Sequence, residues 1–166
     1  MNWQEVFAYR DGKLYWRIKP SQNVRIGDEA GCPNSNGHLV VRYKRKLYKV
    51  HRVIHEIFHG PIPKGMEIDH INGVRDDNRM ENLRLVTRSQ NNWNSCKRKN
   101  STSGLKGVHW HKQKQKWQAH IKIFGKRKNL GYFLTKDEAY NARLKAEKDL
   151  HGEYAPSEER KELVVR

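Results

Sequence analysis

Apolar residues near the start of the chain fall at alternate positions, Phe7 and Tyr9 and then Leu14 and Trp16, with Asp11-Gly12 between the two pairs. Successive side chains of a strand point to opposite faces, and Asp-Gly suits the positive φ of a tight turn, so residues 1–19 predict a β-hairpin. Residues 20–37 hold Pro20, Gly27, Gly31, Pro33, Asn34 and Gly37 and predict loop. Alternation returns at Leu39, Val41 and Tyr43, passes a basic tip at Lys44–Lys46 and leaves through Leu47, which predicts a second hairpin. Then the period changes. Val50, Val53, Ile54, Ile57 and Phe58 fit the spacing of one helical face, so an amphipathic helix is expected over 50–59, stopped by Gly60-Pro61 and bracing the segment after it.

From residue 66 the pattern becomes a strand, a polar loop, a strand and a helix. Met66 and Ile68 lead to Asp69 and His70, and Asn72-Gly73 predicts a turn. A polar excursion through Asp76, Asp77, Asn78 and Arg79 reaches Asn82, followed by the short strand Leu83-Arg84-Leu85-Val86. Thr87 and Gln90 have the form of a capping box, so Arg88 to about Asn94 should be helical with Asn91 near its middle. Such a ββα unit can bring Asp69, His70 and Asn91 to one place.

The segment Asn94–Ser103 has Cys96 as its one apolar residue and carries Lys97, Arg98 and Lys99, which predicts a basic linker over 96–104. Beyond it three strands are expected at about 106–111, 116–124 and 129–133, with turns at Gln113–Gln115 and Gly125-Lys126. In the middle strand Trp117, Ala119, Ile121 and Ile123 share one face, and Gln118, His120 and Lys122 the other. Thr135 and Glu138 form a further capping box, and Ala139, Ala142, Ala146 and Leu150 mark a helix that should back the apolar side of the sheet. Residues 156–166 read as a tail. The fold class expected is α+β: a first module over 1–95 (hairpins 1–49, helix 50–59, ββα unit 66–95) and a second over 105–155, a three-stranded antiparallel sheet backed by one helix.

Composition adds the partner. The 166 residues are 36% hydrophobic and 31% charged, too polar for one large core, and two thin modules fit better. Thirty-four Lys and Arg against eighteen Asp and Glu give a formal net charge of +16. From Asn82 to Lys136 there is no acidic residue, while Lys and Arg recur with Trp, His and Tyr between them. A membrane partner would need an apolar span or a basic amphipathic helix, and the basic residues lie instead in strand-like and loop-like sequence. Double-stranded DNA is the expected partner, with no membrane and no small-molecule cofactor. The aromatics of the hairpins are expected in the core, with DNA contact the alternative for Trp16. Cys32 and Cys96 form no CxxC, which argues against a zinc knuckle or a disulfide framework and suits a reducing cytoplasm. The opening MNWQEVF is neither basic nor apolar enough for a signal peptide.

A carboxylate and an amide oxygen are hard ligands that hold a cation such as Mg²⁺ by a few of its positions, leaving others for water and a phosphate. A neighbouring histidine can take a proton from an attacking water. With NLR after the loop and TRSQNN opening the helix, residues 67–94 resemble the ββα-metal motif of HNH endonucleases, especially those of phages and homing elements. The resemblance makes His70 the general base, Asp69 and Asn91 the metal ligands, and Asn82 the residue that ties the loop together. It implies one divalent ion, Mg²⁺ first with Mn²⁺ or another as alternatives, and Arg84 or Arg88 as a clamp on a neighbouring phosphate. For a phage-encoded protein the location would be the host cytoplasm.

One competing motif stands in the helix over 50–59. His55-Glu56-Ile57-Phe58-His59 matches HExxH, in which two histidines one turn apart bind zinc and the glutamate activates water. The helix ends at once at Gly60-Pro61, Ile62 stands where a longer zinc signature needs glycine, and a protease has no evident use for +16. His51, His55 and His59 are therefore expected as polar-face or packing residues, with His51-Arg52 within reach of a phosphate.

The second module resembles the AP2 DNA-binding domain and its relatives in phages and homing endonucleases, through Gly107-Val108, Trp117, Ala119, Ile121, Leu130-Gly131, Phe133 and Glu138-Ala139. Carried over by position, the resemblance implies DNA contacts at His109, His111, His120, Lys122, Arg127 and Asn129, with Trp110 open between core and DNA. The linker residues Lys97, Arg98 and Lys99 would follow a DNA backbone. The expected function is a metal-dependent DNA endonuclease acting as a monomer, or as a dimer on DNA. A non-catalytic, sequence-specific DNA-binding regulator is the alternative, and a zinc metalloprotease a remote one.

Overall fold

In the computed structural model, which describes residues 1–95 and 103–156, the first hairpin turns where Asp11 and Gly12 adopt φ of +44° and +80°. It is preceded by a single helical turn, α1 (Trp3–Val6). Strands β1 (Phe7–Arg10) and β2 (Lys13–Trp16) pair Phe7 with Trp16 and Tyr9 with Leu14, which carries the alternate large residues to one face. Phe7, Leu14 and Trp16 are buried, so Trp16 belongs to the core. Two short strands, β3 (Glu29–Ala30) and β4 (Cys32–Pro33), interrupt the expected loop. The first adds to β2, and the second to β5 (Leu39–Tyr43) of the second hairpin, whose return is β6 (Lys46–Lys49). Its basic tip turns with Lys44 and Arg45 at φ of +46° and +64°, a conformation that neither side chain favours.

Helix α2 (Val50–His59) ends at Gly60, whose φ is +76°. Its buried positions are Val50, His51, Val53, Ile54 and His55, while Phe58 is 51% exposed and rests edge-on against Tyr9. The buried face is thus rotated from the expected one: two histidines are buried and Phe58 lies at the rim. Val50, Val53 and Ile54 join Trp3, Phe7, Leu14, Trp16 and Val41 in one core, which Ile68 and Leu83 complete from β7 (Met66–His70) and β8 (Leu83–Thr87).

The chain divides into two compact units, Met1–Thr87 and Arg88–Arg166. Helix α3 (Arg88–Asn94), expected with the first module, groups with the second. The contacts responsible are specific: the Trp93 ring stacks on His151 at 4.5 Å, and Lys106 Nζ donates to the carbonyls of Trp93 and Ser95.

In the second unit β9 (Val108–His111), β10 (Lys116–Ile123) and β11 (Lys126–Phe133) form an antiparallel sheet with β10 in the middle, and α4 (Lys136–His151) packs on it. The capping box at Thr135 and Glu138 is formed in both directions. The buried face of α4 is Ala139, Arg143, Ala146, Glu147 and His151, while Leu150 is exposed. The apolar stripe expected through Ala142 and Leu150 is displaced because Arg143 and Glu147, one turn apart, neutralise each other at 2.8 Å inside. Gly107 sits under this sheet with φ of +73°, and a Cβ there would lie 2.5 Å from the His120 carbonyl. Lys97, Arg98 and Lys99 of the expected linker and most of the expected tail lie outside the described residues.

Candidate active site

Strands β7 and β8 pair Asp69 with Arg84 and His70 with Leu83. Directly opposite side chains share a face, and Arg84 uses that position to donate from Nε and Nη2 to Asp69 Oδ2 at 3.0 and 2.9 Å. Both side chains are largely buried, 15% and 8% exposed. Arg84, expected to clamp a phosphate, spends its guanidinium on fixing the Asp69 carboxylate.

The loop between the strands is held by side-chain amides. Asn82 accepts from the Asn72 amide through Oδ1 at 3.0 Å and donates from Nδ2 to the Asp77 carbonyl at 2.7 Å. Asn72 in turn donates to Asp77 Oδ2, and Arg79 donates to both Asp77 oxygens at 2.8 Å. Led by the Arg79 bonds, these contacts pull the Asp77 carboxyl down to about 2. The first hairpin braces the same loop: Tyr9 Oη accepts from the Met80 amide, and a Cβ on Gly12 would stand 2.9 Å from the Arg79 nitrogen.

Within this frame His70 is almost fully buried, and its Nε2 lies 2.9 Å from Asn78 Oδ1. Burial pushes the His70 pKa below its ordinary value, opposed by Asn78 and by the carboxylates of Asp69, Asp77 and Asp76. The ring is therefore neutral at pH 7. Two further imidazoles flank it: His51 from α2, with ring centroids 4.9 Å apart, and His38 from the loop before β5, at 5.7 Å. His38 is set by Asn34, whose Oδ1 accepts from the His38 amide. Burial lowers His38 as well, and pushes His51 down to about 2.

Asp69, His70 and Asn82 thus lie in one small region of the first unit, whereas Asn91 and Arg88 are on α3 in the second. Sequence reasoning missed Asn78 as the partner of His70. Its position in the polar run before Asn82 was the only signal, and it does not separate Asn78 from Asp76 or Asp77. His38 carries no motif, and His51 lies on α2 among apolar residues; only the tertiary fold sets them beside His70.

The donor chemistry around Asp69 fits a hard cation. A carboxylate offers about four lone-pair positions, and Arg84 orients it through one oxygen. Glu56 accepts from Trp3 Nε1 at 2.6 Å and serves as a cap on a buried indole. Among the described residues, His55 and His59 join no group of three metal-ligating side chains.

In the second unit the register sets residues opposite one another in the pairs Gln118 with His109 and Tyr132, Lys116 with His111, His120 with Asn129 and Lys122 with Arg127. His109, His111, His120, Lys122, Arg127 and Asn129 therefore share the face opposite Val108, Ala119 and Ile121. Gln118 Nε2 bridges Asn129 Oδ1 and Tyr132 Oη, and Lys114 Nζ lies 3.8 Å over the Tyr132 ring. Trp110 is 41% exposed and packs edge-on against Trp117 on the other face.

A family model described as HNH endonuclease matches residues 48–93, the span from β6 to α3. Protein 3.8 of Escherichia phage T7 is 36% identical over 116 residues, covering 67% of this chain and 93% of that protein. YosQ of Bacillus subtilis (strain 168), described as a candidate SPbeta prophage-derived HNH homing endonuclease, is 40% identical over 50 residues, 30% of this chain and 29% of that protein. The solved structure of the HNH homing endonuclease I-HmuI is 21% identical, covering 89% of this chain and 85% of that one with a TM-score of 0.45.

Proposed function

We propose that this chain, which carries an HNH endonuclease domain over residues 48–93, is a divalent-metal-dependent endodeoxyribonuclease hydrolysing phosphodiester bonds in double-stranded DNA. The observation that carries the reading is a neutral, buried histidine at the end of β7, gripped by Asn78 and set beside a carboxylate that Arg84 orients.

In this reading His70 takes the proton from the water that attacks phosphorus in line with the leaving 3′ oxygen. With Nε2–H donating to Asn78 Oδ1, the lone pair of the neutral ring is on Nδ1, which is the accepting atom. Burial supports the role, because a histidine already protonated at pH 7 could not act as a base. Asp69 would hold the ion, with Asn91 as second ligand on the family pattern alone. Mg²⁺ is the first choice, since both donors are oxygens. When bound, the ion supplies Lewis-acid stabilisation of charge on the phosphate and on the departing oxygen. Arg84 acts through Asp69 and is a positioning residue.

Binding would fall largely to the basic face of β9–β11, used as an AP2-like module is. The major groove, about 12 Å wide, admits such a ribbon. His109, His111, His120, Lys122, Arg127 and Asn129 supply its donors, Arg88 and the basic run at 97–99 would add phosphate contacts, and the net charge of +16 supports an anionic partner. One site per chain would nick one strand, and two chains on a symmetric target would cut both.

The test is cleavage of supercoiled plasmid in Mg²⁺. The wild-type chain should convert it to open-circular or linear form, EDTA should abolish the reaction, and His70→Ala should slow it by roughly 10²- to 10⁴-fold. Near-wild-type cleavage by His70→Ala would remove the base. Cleavage that persists in EDTA would remove the metal requirement, and tight DNA binding with no cleavage would leave a regulator.

A further inference from the structure

Three histidines from three separate elements of the first unit converge: His38 from the loop before β5, His51 from α2 and His70 from β7. One ligand nitrogen from each lies within 4.8 Å of the others. The ring centroids form a near-equilateral triangle with sides of 5.1, 5.7 and 4.9 Å. Packing alone accounts poorly for this. Nδ1 of His38 and Nδ1 of His51 are buried without a hydrogen-bond partner, and an unsatisfied buried polar atom costs about 1–3 kcal/mol. Apolar side chains would fill the space without that loss.

We propose that His38, His51 and His70 form a three-imidazole site for a borderline transition-metal ion of the zinc type, distinct in donor chemistry from the oxygen ligands at Asp69. Neutral imidazole nitrogens suit Zn²⁺, while Mg²⁺ prefers oxygen. In a tetrahedral site with Zn–N of about 2.0–2.1 Å the nitrogens lie about 3.3 Å apart, so the cluster needs a modest contraction. His51 is fixed on a buried helix and His70 by its bond to Asn78, which leaves the movement to the half-buried His38. The surrounding charge is mixed: Lys49 and Arg75 act on His38, Lys49 and Arg52 on His51, and the carboxylates of Asp69, Asp76 and Asp77 on His70.

One ring cannot serve both roles: held to the ion through either nitrogen, His70 is no longer the proton acceptor of the nuclease reading. A filled site and an active base exclude each other. Zinc held here would therefore switch the nuclease off while Mg²⁺ supports it. This consequence rests on the proposed function; the binding site itself does not.

The experiment uses the full chain stripped of metal by chelation. Titration with Co²⁺ should give the intense visible absorption of a tetrahedral nitrogen site, and Zn²⁺ should displace it at one ion per chain. His38→Ala, at a half-buried loop position, should weaken Zn²⁺ binding by about 10- to 100-fold, with circular dichroism and Tm of the metal-free variant near wild type. His51→Ala should do the same if it folds, and His59→Ala, outside the cluster, should bind as wild type does. Zn²⁺ should raise Tm in wild type and not in His38→Ala. Absence of stoichiometric binding by wild type, or equal binding by His38→Ala, overturns the site. These measurements contain no DNA, so zinc binding without Mg²⁺-supported cleavage would refute the nuclease reading alone. Mg²⁺-supported cleavage by a chain indifferent to zinc would refute the site alone. Zinc that binds through His38 and leaves Mg²⁺-supported cleavage undiminished overturns the switch.

Discussion

Asn78 Oδ1 stands 2.9 Å from Nε2 of His70, with both side chains buried. This bond chooses the tautomer of the ring and aims its other nitrogen. Asn78→Ala should therefore lower the plasmid cleavage rate by roughly 10- to 100-fold, the usual cost of losing a residue that orients a functional histidine. DNA affinity, measured by fluorescence anisotropy, should stay close to wild type. A parallel loss of affinity would make Asn78 a general structural residue.

Asn82 links the two ends of the loop between β7 and β8 by one accepted and one donated bond. Asn82→Ala leaves the Asn72 amide and the Asp77 carbonyl without these partners and should destabilise the first unit by about 1–3 kcal/mol. Urea unfolding followed by tryptophan fluorescence reads this as a lower midpoint with an unchanged slope. No change in midpoint would mean that water replaces the amide at no cost.

Arg143 and Glu147 form an ion pair on the buried face of α4, 3% and 4% exposed. Removing one partner of such a pair is costly because the other charge stays buried, about 3–5 kcal/mol. Glu147→Gln should therefore lower the thermal stability of the second unit far more than Glu153→Gln, at an exposed position. Equal shifts in Tm for the two variants would show that Arg143 finds water when Glu147 is lost.

His151, stacked on Trp93, is buried and its pKa is pushed down to about 4 by burial, with Arg143 and Lys106 adding to the effect against the Lys122 carbonyl. The unfolded chain binds the proton near the ordinary 6.5, so between 6.5 and 4 the unfolded state holds more protons than the folded one. The stability from a neutral His151 is complete above pH 6.5 and is lost progressively as pH falls toward 4. His120, lowered to about 4, acts in the same direction. Tm measured from pH 7 to pH 4 should fall in the wild type and fall less steeply in His151→Phe, which keeps the stacking and removes the titration. Identical slopes would assign acid lability elsewhere.

Lys122 and Arg127 stand opposite each other on the basic face of β10 and β11. If this face follows a DNA backbone, each neutralised phosphate releases about 0.9 of a counterion. Lys122→Ala and Arg127→Ala should each flatten the plot of log affinity against log salt by roughly one unit, with no effect on thermal stability. An unchanged slope in both variants would move the DNA contact off this face.

Local pattern was enough for most elements. Alternation and Asp11-Gly12 specified the first hairpin, and the helical period with Gly60 bounded α2. The capping box at Thr135 began α4 where expected. These features depend on neighbours a few residues away, which a sequence displays directly. Asp69 and His70 are adjacent in the chain, and the resemblance that pointed to them also implied Asn82 as the residue that ties the loop between β7 and β8. Tertiary structure decided what local pattern cannot encode: which faces of α2 and α4 turn inward, that Arg84 spends its charge on Asp69, and that α3 groups with the second unit. It also chose Asn78 to hold His70 and set His38 and His51 beside that ring, although they stand 32 and 19 positions earlier in the chain. A polar side chain buried by the fold takes its partner from whatever packing brings within about 3 Å. That distance is fixed by the whole unit and not by the spacing of letters.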